Sequence, residues 1–186
     1  MKYLVIGLGN PGPEYELTRH NIGFLVLDQL AGKYDKTFKP DRLASKTEIK
    51  YKGRTIHLIK PSTYMNLSGK AVNYWMKELK IPKENLLVVV DDIALPFGSL
   101  RMRAKGSDAG HNGLKDIQLV LGGNTYPRLK FGIDNNFGKG QQVDYVLSNF
   151  SSEEMDKLPE IFKKSIDMIL SFCSIGAQRT MNQFND

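Results

Sequence analysis

A chain of 186 residues with 26 Lys and Arg against 20 Asp and Glu, net charge +6 and a pI near 9.3, has the size of one packed domain and favours a polyanionic partner. Its 41% hydrophobic and 25% charged residues are a globular composition that excludes wholesale disorder. The single cysteine, Cys173, excludes a disulfide framework and a cysteine zinc cluster; no apolar run approaches the roughly 20 residues of a membrane span, and the first run is too short for a signal peptide, so a soluble cytoplasmic protein is expected.

The first predicted strand, Tyr3–Ile6, runs into Gly7-Leu8-Gly9-Asn10-Pro11-Gly12. That is the G-x-G-x-x-G spelling of a dinucleotide turn. The turn also needs a helix opening at the third glycine and an acid ending the next parallel strand. Here Pro11 and Pro13 bracket Gly12. Proline has no N–H, so the stretch cannot line a pyrophosphate with backbone donors. The next helical pattern begins only near Asn21, and Asp28 falls inside it. The glycines are read instead as a tight turn that presents Asn10.

Ile22, Leu25, Val26 and Leu30 recur at helical spacing up to Gly32. Lys46–Tyr51 and Arg54–Leu58 flank Lys52-Gly53 and predict a hairpin, whose second arm belongs to the strand Thr55–Ile59. Ala71, Val72, Trp75, Met76 and Leu79 form a second helical stripe, with Ser68 as its expected N-cap. Leu86–Val90, apolar throughout, suits a central strand covered on both faces. A short strand is expected near Arg101–Ala104. A third stripe (Leu114, Ile117, Val120, Leu121) ends at Gly122-Gly123, ahead of the strand Leu129–Ile133. Ser151-Ser152-Glu153-Glu154 spells a capping box for the last helix. The alternation predicts a single three-layer α/β domain over 1–186, with a twisted, mixed but mostly parallel sheet flanked by helices.

Ligands of such sheets bind beyond the carboxyl ends of the strands. Asn10 follows the first strand, Lys60-Pro61-Ser62-Thr63-Tyr64-Met65-Asn66 the second and Asp91-Asp92 the third. Thr18-Arg19-His20-Asn21 and the loop Ser107–Gly113 can reach the same face. His20 with Asp91 makes a base and its orienting acid: a neutral imidazole takes a proton from water, and a carboxylate on its other nitrogen fixes the tautomer. No serine or cysteine has a nucleophile's setting, so water activation is preferred to a covalent intermediate. His20, His111 and Asp91 match no metal-ligand spacing, so neither metal nor cofactor is expected. Plainer readings stand beside these. His57 is structural; His111 only holds its loop; Asn66 and Asn112 cap helices; Asp92 is a loop residue.

Between Arg101 and Gly140, seven basic residues (Arg101, Arg103, Lys105, Lys115, Arg128, Lys130, Lys139) stand against three acids. Arg101, Arg103 and Lys105 alternate, so an extended segment points all three to one face as a phosphate clamp. An edge strand defended by charge is the competing reading.

GLGNPG-x-x-Y-x-x-TRHNIGF, KPSTYMNLSGKAV, DD and GSDAGHNGLKDI follow one another over residues 7 to 116. In that order and spelling they resemble the bacterial-type peptidyl-tRNA hydrolase family. The resemblance implies hydrolysis of the ester between a peptide and the terminal ribose of tRNA, without metal or cofactor, by a monomer. It assigns His20 as the base, Asp91 as its holder and Asn10 as a neighbour of the catalytic water. It gives Asn66, Asn112 and His111 to the peptide and 3′ end, Met65 to the cleft lining, Tyr15 and Tyr64 to the tRNA end, and Arg103, Lys105 and Lys130 to the 5′ phosphate. Amide donors near Asn10 and Asn66 would stabilise the oxyanion. Three departures stand out. DDIALP has one carboxylate fewer than the usual acidic run. Asp108 puts an acid in a loop where small residues are more usual. Asp134-Asn135-Asn136 replaces a basic or His-Pro turn. A non-catalytic RNA-binding relative, a nucleoside phosphorylase-like enzyme and a dinucleotide enzyme are the alternatives.

Overall fold

The computed structural model describes residues 1–185. Its seven strands are β1 (Lys2–Gly7), β2 (Lys39–Asp41), β3 (Ala44–Tyr51), β4 (Arg54–Pro61), β5 (Leu86–Asp92), β6 (Leu100–Arg103) and β7 (Arg128–Gly132). The helices are α1 (Ile22–Lys33), α2 (Ser68–Leu79), α3 (Asn112–Leu121), α4 (Gln142–Val146), α5 (Ser152–Ile175) and α6 (Ala177–Phe184). The strands form one sheet in the order β2-β3-β4-β1-β5-β7-β6. β4, β1, β5 and β7 pair in parallel, and the hairpin and β6 add antiparallel margins. The result is the three-layer, mixed α/β architecture expected of the alternating pattern.

Both faces of the central strands are covered, which is why they read as unbroken apolar runs. Tyr3, Val5, Leu87 and Val89 pack with α1 and α5, whereas Leu4, Ile6, Val88 and Val90 pack with α2 and α3. α1 lies unusually close to the strands. A Cβ on Gly7 would come within 2.7 Å of the Gly23 carbonyl carbon, and one on Gly23 within 2.5 Å of the Val89 carbonyl oxygen. The first glycine of the G-x-G-x-x-G string therefore serves helix–strand contact.

The expected strands and long helices are present, with ends shifted by one or two residues. β2, α4 and α6 were not foreseen: β2 is three residues long and contains Pro40, α4 is a turn and a half, and the helix opened by Ser151, expected to be the last, is followed by the eight residues of α6. The Ser151 capping box forms as expected, with Glu154 N–H to Ser151 Oγ at 3.2 Å and Ser151 N–H to Glu154 Oε1 at 2.8 Å. Ser68 is not an N-cap. Leu67 holds that position, and the Ser68 hydroxyl donates to the Met65 carbonyl at 2.7 Å. Gly176 separates α5 from α6. Beyond α6, the amide of Asn185 pairs with both backbone groups of Met102, at 3.0 and 2.8 Å, closing the outer edge of β6 as a strand residue would. Cys173 is buried and its thiol pKa is pushed up by that burial, so it is no nucleophile.

His57 is structural, as expected, but costly at low pH. It lies in β4 between Leu4 and Glu48, buried, and neither ring nitrogen has a hydrogen-bond partner among the described residues. Burial first, and then Lys46, Lys2 and Lys50 against the opposing Glu48, bring its pKa down to about 4. The unfolded chain takes up this proton near pH 6.5. The His57 contribution to stability is thus intact above that value, is lost as pH falls toward 4 and is constant below it. Urea midpoints measured near pH 7 and pH 4.5 are expected to show a loss on the order of 2 kcal/mol that His57→Leu abolishes.

Candidate functional site

β1 feeds α1 on one face of the sheet, while β4 feeds α2 on the other. A crevice opens where such connections diverge. Here it is a cleft of about 360 Å³ lined by Asn10, His20, Met65, Asp91, His111 and Asn112 among others. Each arrives from a different segment. Asn10 follows β1, His20 lies in a 3₁₀ turn before α1, and Met65 opens a 3₁₀ turn before α2. Asp91 is near the end of β5, and His111 and Asn112 start α3.

Asp91 is the hub. Its carboxylate accepts from His20 Nδ1 at 2.9 Å and from His111 Nε2 at 2.9 Å. Burial opposes its charge, but the two imidazoles outweigh burial and hold the carboxyl well below the usual range. His20 answers in kind. Burial disfavours its cation, yet the charge and hydrogen bond of Asp91 prevail and raise its pKa above 6.5. With Nδ1–H committed to Asp91, Nε2 is the free ring nitrogen of a residue that lines the cleft.

His111 is fixed in the opposite tautomer. Its Nδ1 accepts the N–H groups of Gly113 at 3.1 Å and Leu114 at 3.3 Å, which places the proton on Nε2, facing Asp91. His111 therefore caps α3, and neither Asn112 nor Asn66 does so. The same bonds bear on metal binding. His20, Asp91 and His111 offer ligand atoms within 4.8 Å of one another, and in this arrangement the two ring nitrogens that face Asp91 carry protons that a metal ion would have to displace.

Asn10 is held in one orientation. Its Oδ1 accepts Met65 N–H at 2.7 Å, leaving the side-chain NH₂ as its free polar group. Its own backbone is gripped by Asn21, whose Oδ1 accepts Asn10 N–H and whose Nδ2 donates to Asn10 C=O, both at 2.9 Å. Asn21 is buried and was passed over in the sequence, where it read as a helix opener; no spacing rule marks a side chain that clamps a backbone eleven residues away.

The cleft also gathers Tyr64, Asn66 and Lys130. Tyr64 is 57% exposed at the rim, and Lys130 sits 3.5 Å from Asp92. Asp92 is more than a loop residue, since its other oxygen accepts Ala94 N–H at 2.7 Å. Tyr15, Arg103 and Lys105 lie outside the cleft lining; Tyr15 ends the 3₁₀ turn Pro13–Tyr15. β6 is an edge strand that ends at Arg103, so the alternation places Arg101 and Arg103 on one face and leaves Lys105 in the following loop. Arg101 stands directly opposite Lys130. Arg128 does not belong to the basic surface at all, being wholly buried. One wall of the cleft, from Gln142, Val143, Val146 and Leu147, carried no sequence signal because α4 is too short for a periodicity.

Comparison with known proteins identifies the family. The family model described as Peptidyl-tRNA hydrolase matches residues 4–186. A Cytophaga hutchinsonii peptidyl-tRNA hydrolase is 57% identical over 185 residues, covering 100% of this chain and 98% of that protein. One from Bacteroides fragilis is 54% identical over 185 residues, covering 100% and 99%. The crystal structure of peptidyl-tRNA hydrolase from Acinetobacter baumannii superposes with a TM-score of 0.92 at 34% identity, over 98% of this chain and 94% of that one. Motif order, cleft geometry and full-length similarity coincide: the chain belongs to the peptidyl-tRNA hydrolase family.

Proposed function

We propose that this protein hydrolyses the ester linking a peptide to the terminal ribose of tRNA, with His20 as general base. The observation that carries the reading is the Asp91–His20 pair, which leaves Nε2 as the free ring nitrogen in the cleft that Asn10 also lines with its donor amide. Water gives a proton to His20 Nε2 while its oxygen attacks the ester carbonyl. The Asn10 NH₂, with a second amide near Asn66, bonds the developing oxyanion, an interaction worth about 3–4 kcal/mol per donor in other hydrolases. The tetrahedral adduct collapses, its C–O bond to ribose breaks, and the ribose oxygen takes the proton back from Nε2.

Asn66 and Asn112, exposed at the cleft, hold the peptide and the 3′ end, with Met65 beneath and His111 fixing the acid. Tyr64 offers a face on which a base stacks, and Tyr15 is assigned to the tRNA end. Lys130, Arg103 and Lys105 take tRNA phosphate, and Arg101 beside Lys130 adds to that charge. The reading takes residues 1–186 as one domain acting as a cytoplasmic monomer without cofactor. No helix of the described residues is long and apolar enough to cross a membrane.

Incubation with N-acetyl-aminoacyl-tRNA tests it. Release of the acetylated amino acid is expected, with tRNA affinity that falls steeply as salt rises. Tight tRNA binding without release would overturn the hydrolase reading in favour of an RNA-binding relative.

A further inference from the structure

The largest wholly buried side chain of the molecule is charged: Arg128, in β7. Burying a guanidinium costs several kcal/mol unless its donors are met. Here they are met by carbonyls and a ring. Nη1 donates to Gly106 O at 3.1 Å, and Nη2 donates to Asn124 O at 2.6 Å and Tyr126 O at 3.3 Å. The guanidinium carbon lies 4.0 Å from the centre of the Tyr126 ring. Gly106 N–H adds a bond to Asn124 O at 3.4 Å. One planar fork thus ties the start of β7 and the 124–126 turn to the root of the loop that carries His111.

Between Gly106 and His111 the loop has few ties of its own. Ala109 N–H bonds Ser107 Oγ, Gly110 N–H bonds Asp108 Oδ1, and His111 N–H bonds Asp108 O, all within the loop. Nothing lies within 4 Å of the space a Cβ would fill at Gly106 or Gly110. The loop is fastened at its two ends: at Gly106 by Arg128 and Asn124, and at His111 by the α3 cap and Asp91. A lysine carries its three donors on a single nitrogen and cannot reproduce a planar fork whose two terminal nitrogens reach Gly106 O and Asn124 O separately.

We propose that Arg128 is a positioning residue for the reaction: by pinning the Gly106 root it keeps the loop latched through His111 to Asp91, with Asn112 poised at the cleft. The inference rests on the hydrolase reading for its kinetic arm alone. When the root is loosened, the latched state becomes a fraction of the population, and apparent affinity falls by that fraction.

Arg128→Lys is therefore expected to raise KM for N-acetyl-aminoacyl-tRNA about tenfold, the loss of one or two buried hydrogen bonds, while kcat stays within about twofold because bound substrate restores the latch. In a His111→Ala background, where the latch is already gone, the same change should add less than about twofold. A merely structural role gives the opposite result: lower kcat through loss of folded enzyme, unchanged KM, and additivity with His111→Ala. That outcome would overturn the proposal. Amide exchange tests the pinning without turnover. Gly106 should exchange several-fold faster in Arg128→Lys than in the wild type while amides of the central strands keep their rates; a Gly106 amide that exchanges equally fast in both proteins sinks the proposal. If the wild type releases no amino acid, the hydrolase reading fails, and the exchange result still judges Arg128.

Discussion

Replacing His20 by alanine should lower kcat for N-acetyl-aminoacyl-tRNA by about 10²–10⁴-fold, the range of a lost general base, with tRNA affinity nearly unchanged. In the proposed mechanism the imidazole meets the attacking water and little of the polyanion, so the loss falls on the transition state. The wild-type pH profile follows from the same pair. His20 works deprotonated, and Asp91 raises its pKa above 6.5, so kcat/KM should climb with pH through an inflection above that value. Asp91→Asn removes the charge that, together with its hydrogen bond, overcomes burial, and the inflection should move down as activity drops. Wild-type release by His20→Ala, or an unmoved inflection in Asp91→Asn, would remove His20 from the mechanism.

The second large effect concerns a residue with no side chain. Gly23→Ala is expected to destabilise the fold by about 3 kcal/mol or more, the upper part of the overpacking range, lowering the melting temperature by roughly 6–12 °C for a chain of this size. The new methyl would lie 2.5 Å from Val89 O and 2.7 Å from Leu8 O. Both are backbone atoms, Val89 in the central strand β5 and Leu8 just past β1 and tied to Val89 O by its own N–H at 3.0 Å, so neither can easily move aside. α1 would have to lift, and the turn bearing His20 directly precedes it. Thermal melts check the first effect, and kcat of the folded fraction checks the second. A melting temperature within about 2 °C of the wild type would show that α1 can shift without loss.

What could be read from the residues followed the range of the signals. Strands buried on both faces announce themselves as runs such as Leu86–Val90; Asn10 and Asp91 come at or just beyond the ends of such strands, and His20 just before a helix with a clear stripe. Short elements gave no period, which hid α4 and the cleft wall it builds. Arg128 sat among basic neighbours, and charge alone cannot tell a solvated guanidinium from one that grips three carbonyls. Asn21 and His111 were visible as polar residues near helix starts, but their bonds depend on tertiary placement. The expected caps at Ser68 and Asn112 failed because Ser68 turns to the Met65 carbonyl and because His111 reaches the α3 amides before Asn112 can.

The opposed tautomers of the two histidines set a proton inventory for the cleft. Asp91 accepts one N–H from each ring, and the remaining nitrogen of His111 is spent on two amides of α3. His20 Nε2 is thus the one ring nitrogen of the two histidines left without a partner, and it holds a single proton. In the proposed mechanism a proton drawn from water has no second imidazole nitrogen to move to, and its return to the ribose oxygen brings the trio back, within each turnover, to the charge state in which it started.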